Sequence, residues 1–226
     1  MRTPKRSRTA VISKILFFLA VVLMIYFLFG RVWIKHMRYP LKFEEEIKTY
    51  SEKYSVDPYM VASIIWAESR FLPDAVSGKD ARGLMQLLPD TAVWAAGKMG
   101  LSDFEEAMLL NPEMNIRIGC WYLNFLSSQF PDNEESVLAA YNGGIGNVQK
   151  WLKDKTYSGD GYRLDHIPFQ ETRNYVLKVK GACKIYREIY RSEERRVHHP
   201  IGKDPINEKS IVLSSDIAFS FSYARL

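Results

Sequence analysis

Apolar residues recur at helical spacing along most of this 226-residue chain, and the alternating pattern of a half-buried strand is nearly absent. Asn111-Pro112 opens the longest predicted core helix, and another is expected from Gln170 to about Tyr190. The length is enough for one medium domain with a proper core plus appendages. We therefore expect an all-α fold.

One short predicted helix carries an acidic residue on its apolar face. Asp57 and Pro58 have the residue types favoured at the N-cap and the first helical position. Val61 and Ile64 then share a face with Glu68. Partial burial of Glu68 and its place in the last turn both disfavour the carboxylate and raise the pKa. Such a group suits the proton donor in glycosidic bond cleavage, but it could equally be a glutamate at the rim of the core.

The charge of the chain does not indicate nucleic-acid binding. The net charge is +5, from 31 basic and 26 acidic residues. Five basic residues lie within the first fourteen, which contain no acid, so the rest of the chain is balanced. No basic stripe interleaved with aromatic residues follows. The sequence therefore predicts no nucleic-acid partner.

An uncharged run extends from Ile15 to Gly30. As a helix it reaches about 24 Å, against about 30 Å for a hydrocarbon core, and apolar neighbours lengthen it at both ends. A cleaved signal peptide is the alternative, but its apolar region is usually shorter and no small-x-small site lies near Gly30. We predict an uncleaved transmembrane signal anchor over 15–34. It would follow a basic cytoplasmic segment, 1–14, and precede a linker, 35–42.

The two cysteines, Cys120 and Cys183, lie on separate predicted helices. A disulfide is allowed outside the cytoplasm, but we interpret Cys120, beside Trp121, as a small core residue. No cluster of histidine and cysteine indicates a metal site, and no cofactor is predicted.

Four short motifs occur in order along the chain. They are Glu68-Ser69, Gly83-Leu84-Met85-Gln86, Ala140-Tyr141-Asn142-Gly143-Gly144 and the segment 167–175 with its late Glu and Tyr. In this order and spacing they resemble the soluble lytic transglycosylase (SLT) catalytic domain, a goose-lysozyme-like helical fold that cuts peptidoglycan. The likeness covers about residues 43–191. The last part of the chain, 192–226, is predicted to be a poorly ordered tail.

The resemblance implies a mechanism with one carboxylate. The residue matching Glu68 protonates the oxygen between N-acetylmuramic acid and N-acetylglucosamine, then accepts the proton of the muramoyl C6 hydroxyl as a 1,6-anhydro end forms. It also implies substrate-binding residues, which are Ser77, Met85, Gln86, Tyr141, Asn142, Glu171 and Tyr175. The expected substrate places the domain on the extracytoplasmic side of a membrane.

The sequence departs from the family pattern before Gly83. The family often has glycine two places before the position of Arg82, where this chain has Asp80. Asp80 is a conceivable second carboxylate, which would favour hydrolysis. A hydrolytic muramidase of the same fold therefore stays open, as does a non-catalytic glycan-binding scaffold.

Overall fold

The computed structural model describes residues 8–198, and all of their regular structure is helical. The α-helices are α1 (Arg8–Ile25), α2 (Arg31–Arg38), α3 (Glu44–Lys53), α4 (Pro58–Glu68), α5 (Pro89–Lys98), α6 (Pro112–Gln129), α7 (Glu134–Gly143), α8 (Ile145–Lys153) and α9 (Gln170–His198). A π-helical segment, Tyr26–Gly30, joins α1 to α2, and a 3₁₀ turn, Glu106–Leu110, precedes α6. Strand-like pairing in this part of the chain consists of two isolated bridges, Val76 to Arg82 and Arg82 to Leu87. The predicted all-α class is confirmed.

The core is built around α4. Every residue of α4 from 61 to 67 is buried, so this helix is enclosed on all sides rather than along one stripe. Helix α3 packs against α4 and α6, and α6 in turn packs against α5 and α7. Helix α9 contributes a stripe of buried residues that includes Tyr175, Val179 and Tyr186. The only charged side chain of α4, that of Glu68, therefore leaves the core at the end of the helix.

The segment before α3 packs against α4. The indole Nε1 of Trp66 donates a 2.9 Å hydrogen bond to the carbonyl oxygen of Arg38. The ring of Tyr39 stacks on Trp66 with 4.6 Å between centroids, and the hydroxyl of Tyr186 donates to the carbonyl of Pro40 at 2.9 Å. Part of the predicted linker 35–42 is thus fixed against the domain.

The two cysteines lie in the core as free thiols. Burial raises the pKa of Cys120 to about 12 and that of Cys183 to about 11. The interpretation of Cys120 as a small core residue is confirmed.

Residues 84–88 lie in and just after a turn that is closed by two backbone hydrogen bonds between Arg82 and Leu87. Two details differ from the sequence expectations. Helix α9 runs to His198 instead of ending near residue 190, in keeping with the strong helix formers at 193–196. In the described part of the chain no helix combines the length and the apolar character needed to span a membrane, so the predicted helix over 15–34 is not confirmed.

Contacts divide the chain into two compact units, Met1–Ile189 and Tyr190–Leu226. In the second unit the described residues, 190–198, are helical. Most of the predicted tail, 199–226, and residues 1–7 of the basic segment lie outside the described residues.

Candidate active site

Helix α4 brings Glu68 to the surface of the core. The Asp57 side chain caps the helix by accepting a 2.9 Å hydrogen bond from the backbone N–H of Tyr59, with Pro58 in the first turn. Val61, Ile64 and Ile65 are completely buried. Glu68 is the last residue of the helix and is partly exposed. The rigid, buried helix therefore fixes the position of one carboxyl group.

Ser69 ties the end of α4 to a distant turn. Its buried hydroxyl lies 2.7 Å from the carbonyl oxygen of Leu84 and 3.1 Å from that of Ile65. The shorter contact spans fifteen residues of sequence. Glu68 and the Gly83-Leu84-Met85-Gln86 turn are consequently held beside each other.

Gly83 allows this turn to approach the core closely. Its φ is +75°, and a Cβ placed there would lie 2.1 Å from the carbonyl oxygen of Leu109 and 2.3 Å from the side-chain nitrogen of Asn115. Asn115 is completely buried and binds the turn on both sides: its Oδ1 accepts from the N–H of Met85 at 2.8 Å, and its Nδ2 donates to Arg82 and Leu109 carbonyls. Asn115 was not predicted from the sequence as part of the site, and its only local signal is that a polar residue interrupts the apolar pattern of α6.

Met85 was predicted to line the glycan groove, but its side chain lies in the core. Its side chain is completely buried, and a Cβ at Gly119 of α6 would lie 2.2 Å from its sulfur. The physical reason is that Gly119 leaves a gap that the flexible thioether fills. The carbonyl oxygen of Met85 still serves the site, because it accepts a 2.9 Å hydrogen bond from the hydroxyl of Tyr141.

Gln86 adopts a left-handed backbone conformation with φ +48°. Its side-chain nitrogen Nε2 donates to the carbonyl oxygens of Ala75 and Gly83, each at 3.0 Å. A non-glycine residue in this region is strained, and the two hydrogen bonds hold it there. The side chain thereby forms part of the wall of a cleft.

The cleft has a volume of about 520 Å³ and opens over Glu68. Five predicted site residues line it together with Glu68, namely Ser77, Gln86, Tyr141, Asn142 and Glu171. The lining residues that the sequence analysis did not assign to the site are Gly78, Lys79, Ala81, Leu87, Leu88, Thr91, Tyr122 and Gly144. Residues from four distant parts of the chain thus surround one carboxyl group.

The environment of Glu68 raises its pKa to about 7. The direction of this shift is the one predicted from the sequence. Burial is the main cause, and the neighbouring charge of Glu171 adds to it. The hydroxyl of Tyr175 and the charge of Lys178 act in the opposite direction. Glu68 therefore exchanges its proton near neutral pH, which allows the same group to donate and accept a proton.

Two tyrosines flank the Glu68 carboxyl. Burial raises the pKa of both Tyr141 and Tyr175 well above the usual value, and the charge of Glu68 raises both further. Tyr175, which was predicted from sequence to bind substrate, is instead buried and does not line the cleft. Both phenols stay neutral at any pH at which Glu68 titrates.

The loop that carries Ser77 folds on itself. The Ser77 Oγ accepts a 3.0 Å hydrogen bond from the N–H of Ala81, and Asp80 has φ +62°. At the rim Nζ of Lys79 lies 3.8 Å from a carboxylate oxygen of Glu171, across the opening of the cleft. Both side chains are exposed, so this ion pair contributes little to stability.

Asp80 does not line the cleft. Its carboxylate accepts two hydrogen bonds from the guanidinium of Arg82, at 3.0 and 2.9 Å. These bonds lower the pKa of Asp80. The structure therefore separates Asp80, paired and ionised outside the cleft, from Glu68 inside it.

Lys178 is a second residue near Glu68 that was not predicted from the sequence. Its Nζ donates a 2.6 Å hydrogen bond to the carbonyl oxygen of Ala67 and lies 5.7 Å from the centroid of the Trp66 ring. The position of Lys178 one turn after Tyr175 is visible in sequence, but its contact with α4 spans 111 residues.

Between residues 8 and 198 no group of His, Cys, Asp and Glu is arranged to hold a metal ion.

Comparison with known proteins agrees with this geometry. The soluble lytic murein transglycosylase of Salmonella typhimurium is 33% identical over 169 residues, which are 73% of this chain and 26% of the relative. The membrane-bound lytic murein transglycosylase C of Serratia proteamaculans is 34% identical over 169 residues, 65% of this chain and 47% of the relative. The chain thus spans about a quarter of the soluble relative and under half of the membrane-bound one.

Solved structures give the same relationship. An inactive mutant of the lytic transglycosylase Slt from Pseudomonas aeruginosa superposes with a TM-score of 0.63 at 35% identity, over 70% of this chain and 26% of that one. The 70 kDa soluble lytic transglycosylase of Escherichia coli gives 0.63 at 31% identity, over 71% and 26%. The sequence-family model of the transglycosylase SLT domain matches residues 45–162, which are more than half of the chain. This chain therefore belongs to the transglycosylase SLT domain family.

Proposed function

We propose that this chain is a peptidoglycan lytic transglycosylase, which cleaves the β-1,4 bond between N-acetylmuramic acid and N-acetylglucosamine and leaves a 1,6-anhydro end. One observation carries the proposal: the carboxyl of Glu68 faces a cleft of about 520 Å³ with a pKa of about 7. The names of the relatives, lytic murein transglycosylases, support the substrate class. Glu68 is the residue we assign to proton transfer.

The proposed reaction uses Glu68 twice. The protonated carboxyl gives its proton to the bridging oxygen as the bond from that oxygen to C1 breaks, and the N-acetylglucosamine end leaves as an alcohol. The C6 hydroxyl of the muramoyl unit then bonds to C1, and its proton returns to the Glu68 carboxylate. No water is consumed, and the enzyme is regenerated. A pKa near 7 suits both directions of transfer.

The distribution of carboxylates favours this one-carboxylate scheme over hydrolysis. Inverting and retaining hydrolases usually place two carboxyl groups beside the bond that breaks. Among the residues that line the cleft, only Glu68 and Glu171 carry carboxyls, and Glu171 lies at the exposed rim beside Lys79. Asp80, the second carboxylate considered from sequence, is bound to Arg82 outside the cleft.

The remaining site residues are assigned to binding and positioning. We assign Ser77, Gln86, Asn142 and Glu171, which line the cleft, to contacts with the glycan. We assign Tyr175, whose hydroxyl lowers the pKa of Glu68, and Tyr141, which lines the cleft together with Glu68, to positioning around that carboxyl. Met85 contributes through its carbonyl oxygen, by fixing the Tyr141 hydroxyl. A non-catalytic scaffold would need neither a proton donor poised near neutral pH nor the strained turn beside it.

Attachment to a membrane through residues 15–34, with the domain on the extracytoplasmic side, is a further part of this proposal. It is supported by the exposed apolar side chains of α1, such as Leu16, Phe17 and Phe18, at 61, 72 and 67%. The uncharged run from 15 to 30 supports it as well. Peptidoglycan lies outside the cytoplasmic membrane, which fixes the side on which such an enzyme must act.

Product analysis tests the reaction type. Purified glycan strands are digested with the full chain, and the fragments are analysed by mass spectrometry with and without borohydride reduction. A lytic transglycosylase gives muramoyl ends that are lighter by one water than hydrolysis products and resist reduction. Reducible muramic acid as the main product would assign the chain to the hydrolases, and no cleavage at all would favour the binding scaffold.

A further inference from the structure

The ring of Trp66 lies where α4 meets the segment that precedes the domain. Trp66 is two residues before the candidate acid and is 6% exposed. Its Nε1 donates to the carbonyl oxygen of Arg38 at 2.9 Å, and the ring of Tyr39 stacks on it with 4.6 Å between centroids. We refer to residues 35–40 as the Tyr39 segment. This segment lies before residues 45–162, which match the SLT domain, so the contact joins α4 to a part of the chain outside that match.

Two cations lie against the same indole. The guanidinium carbon of Arg70 is 3.6 Å from the centroid of the Trp66 ring, and Nζ of Lys178 is 5.7 Å from it. Arg70 and Phe71 directly follow Glu68-Ser69, and their φ angles of +55° and +61° place two successive residues in the left-handed region. Such a turn persists only where surrounding contacts hold it. The Trp66 ring supplies one of these contacts through Arg70.

Lys178 connects the indole to the candidate acid. Its Nζ donates a 2.6 Å hydrogen bond to the carbonyl oxygen of Ala67, the residue between Trp66 and Glu68. Burial raises the pKa of Glu68, and the positive charge of Lys178 opposes this effect. Partial burial lowers the pKa of Lys178, and the charge of Arg70 adds to this. The amine thus lies between the Trp66 ring and the end of α4.

The Tyr39 segment is also held against α9. Nζ of Lys35 pairs with Glu188 at 2.7 Å, and the hydroxyl of Tyr186 donates to the carbonyl oxygen of Pro40 at 2.9 Å. The rings of Tyr39 and Tyr186 meet edge to face with 5.9 Å between centroids. One short segment therefore contacts both α4, which carries the candidate acid, and α9, which carries the cation beside it.

We propose that the Tyr39 segment positions the candidate acid. By holding the Trp66 ring, it fixes the amine of Lys178 at the end of α4, and it so couples a part of the chain outside the matched domain to proton transfer. Tyr39 is then a positioning residue, because it acts through Trp66 and Lys178 and does not line the cleft. When the ring loosens, the amine leaves the end of α4, and Glu68 keeps its proton to higher pH.

Other charged and titratable groups surround this part of the site. Those that line the cleft with Glu68 or act on the pKa of Glu68 or Lys178 are Arg70, Lys79, Tyr122 of α6, Tyr141 of α7, and Glu171 and Tyr175 of α9. None of them belongs to the Tyr39 segment. A substitution at Tyr39 therefore leaves all of these groups in the chain.

This inference rests on the proposed function, in which Glu68 transfers the proton. The first test measures the pH profile of kcat/KM for the full chain on purified glycan strands. Tyr39→Leu keeps an apolar side chain but loses the stacked ring, so the alkaline limb should move to higher pH by up to about half a unit. Tyr39→Phe keeps the ring and should keep the profile. Tyr54→Leu is the matched control, since Tyr54 stacks on Tyr50 and does not line the cleft; its limb should stay in place.

A double variant separates positioning from general loosening of the fold. In Lys178→Met the charge is already absent, so adding Tyr39→Leu should move the limb no further. Thermal unfolding checks that each variant is folded. A Tyr39→Leu shift that persists in the Lys178→Met background overturns the proposal, as does a loss of activity with the limb in its original place.

An NMR titration needs neither turnover nor a folded Tyr39→Leu. The indole N–H signal of Trp66 is assigned in triple-resonance spectra of the full chain and followed across neutral pH. It should move with the ionisation of Glu68 near pH 7 and should stay in place in Glu68→Gln. A signal that does not move, or that moves equally in both proteins, overturns the coupling.

The outcomes separate this inference from the proposed function. A chain that cuts glycan but fails either the limb or the titration test keeps its function and loses the positioning role of Tyr39. A chain that cuts no glycan loses the proposed function, and the titration of Trp66 then decides the coupling by itself.

Discussion

The side-chain nitrogen of Lys178 lies 2.6 Å from the carbonyl oxygen of Ala67, the residue directly before Glu68. Helix α9 thereby places a positive charge at the carboxyl end of α4, where the helix carries partial negative charge. The same charge lowers the pKa of Glu68 against the effect of burial. A contact between two distant helices thus positions the candidate acid and also tunes it.

Glu68→Gln should remove activity and preserve the fold. Glutamine has nearly the same size but neither donates nor recovers the proton, so turnover should fall by about 10²–10⁴-fold. Turnover is measured on purified glycan, and thermal unfolding serves as the check on folding. Activity within a few-fold of the unmodified chain would remove Glu68 from its assigned role.

The stability of the domain should depend on the ionisation of Glu68. The pKa of Glu68 in the folded chain, about 7, exceeds the ordinary glutamate value of 4.5, so the unfolded chain loses this proton first. The stabilisation from the protonated Glu68 is fully present below about pH 4.5 and is lost above about pH 7. Between these values the free energy of unfolding falls by at most about 1.4 kcal/mol per pH unit. Chemical denaturation at several pH values between about 4.5 and 7 should show this fall in the free energy of unfolding. The fall should be smaller for Glu68→Gln. Parallel curves for the two proteins would contradict the raised pKa.

Lys178→Met should move the alkaline limb of the kcat/KM profile to higher pH. Loss of the positive charge removes an influence that lowers the pKa of Glu68, while burial, Tyr175 and Glu171 remain. Lys178→Arg should restore the original profile. Lys180→Met is the control on the same helix, because Lys180 pairs with Glu135 at 3.0 Å and does not line the cleft. A limb that stays in place or moves to lower pH would show that Lys178 does not tune Glu68.

Gly83→Ala should destabilise the domain severely. A methyl group there would lie 2.1 Å from a backbone oxygen in a conformation with φ +75°. Steric crowding and the left-handed conformation together should lower the free energy of unfolding by at least about 2 kcal/mol. Gly78→Ala, with no atom within 4 Å of the added carbon, should change it by less than about 0.5 kcal/mol. Denaturant unfolding of both variants checks the difference, and equal stabilities would argue against the close approach of this turn.

Asp80→Asn should retain most of the activity and the same anhydro product. Asp80 is paired with Arg82 and does not line the cleft, so its charge has no direct part in the proposed reaction. We expect a loss of less than about tenfold, from loosening of the loop that carries Ser77. A loss as large as that of Glu68→Gln would point to a two-carboxylate hydrolase.

The full chain should remain with membranes after extraction by salt and by carbonate. Attachment through the apolar residues of 15–34 rests on burial in lipid and not on surface charge. Sedimentation after each wash measures this, and protease added outside the cytoplasmic membrane should digest the domain. Release into the soluble fraction by salt alone would contradict the proposed anchor.

The sequence by itself determined the helical class and much of the α4 helix. The Asp57 cap, Pro58 and the apolar residues that follow are local signals, because capping and periodicity act within a few residues of the chain. They were enough to place Glu68 at the end of a buried helix and to predict the direction of its pKa shift. The order of the four motifs was enough to indicate the family.

Tertiary structure alone decided what surrounds Glu68. Met85 lies in the core because Gly119, 34 residues away, leaves room for its side chain. The turn beside Glu68 is held by Asn115, and the helix end is held by Lys178, through contacts that span 30 and 111 residues. Asp80 is excluded from the cleft because Arg82 binds it. These outcomes depend on which surfaces meet when helices pack, and neither local propensity nor the spacing of apolar residues contains that information.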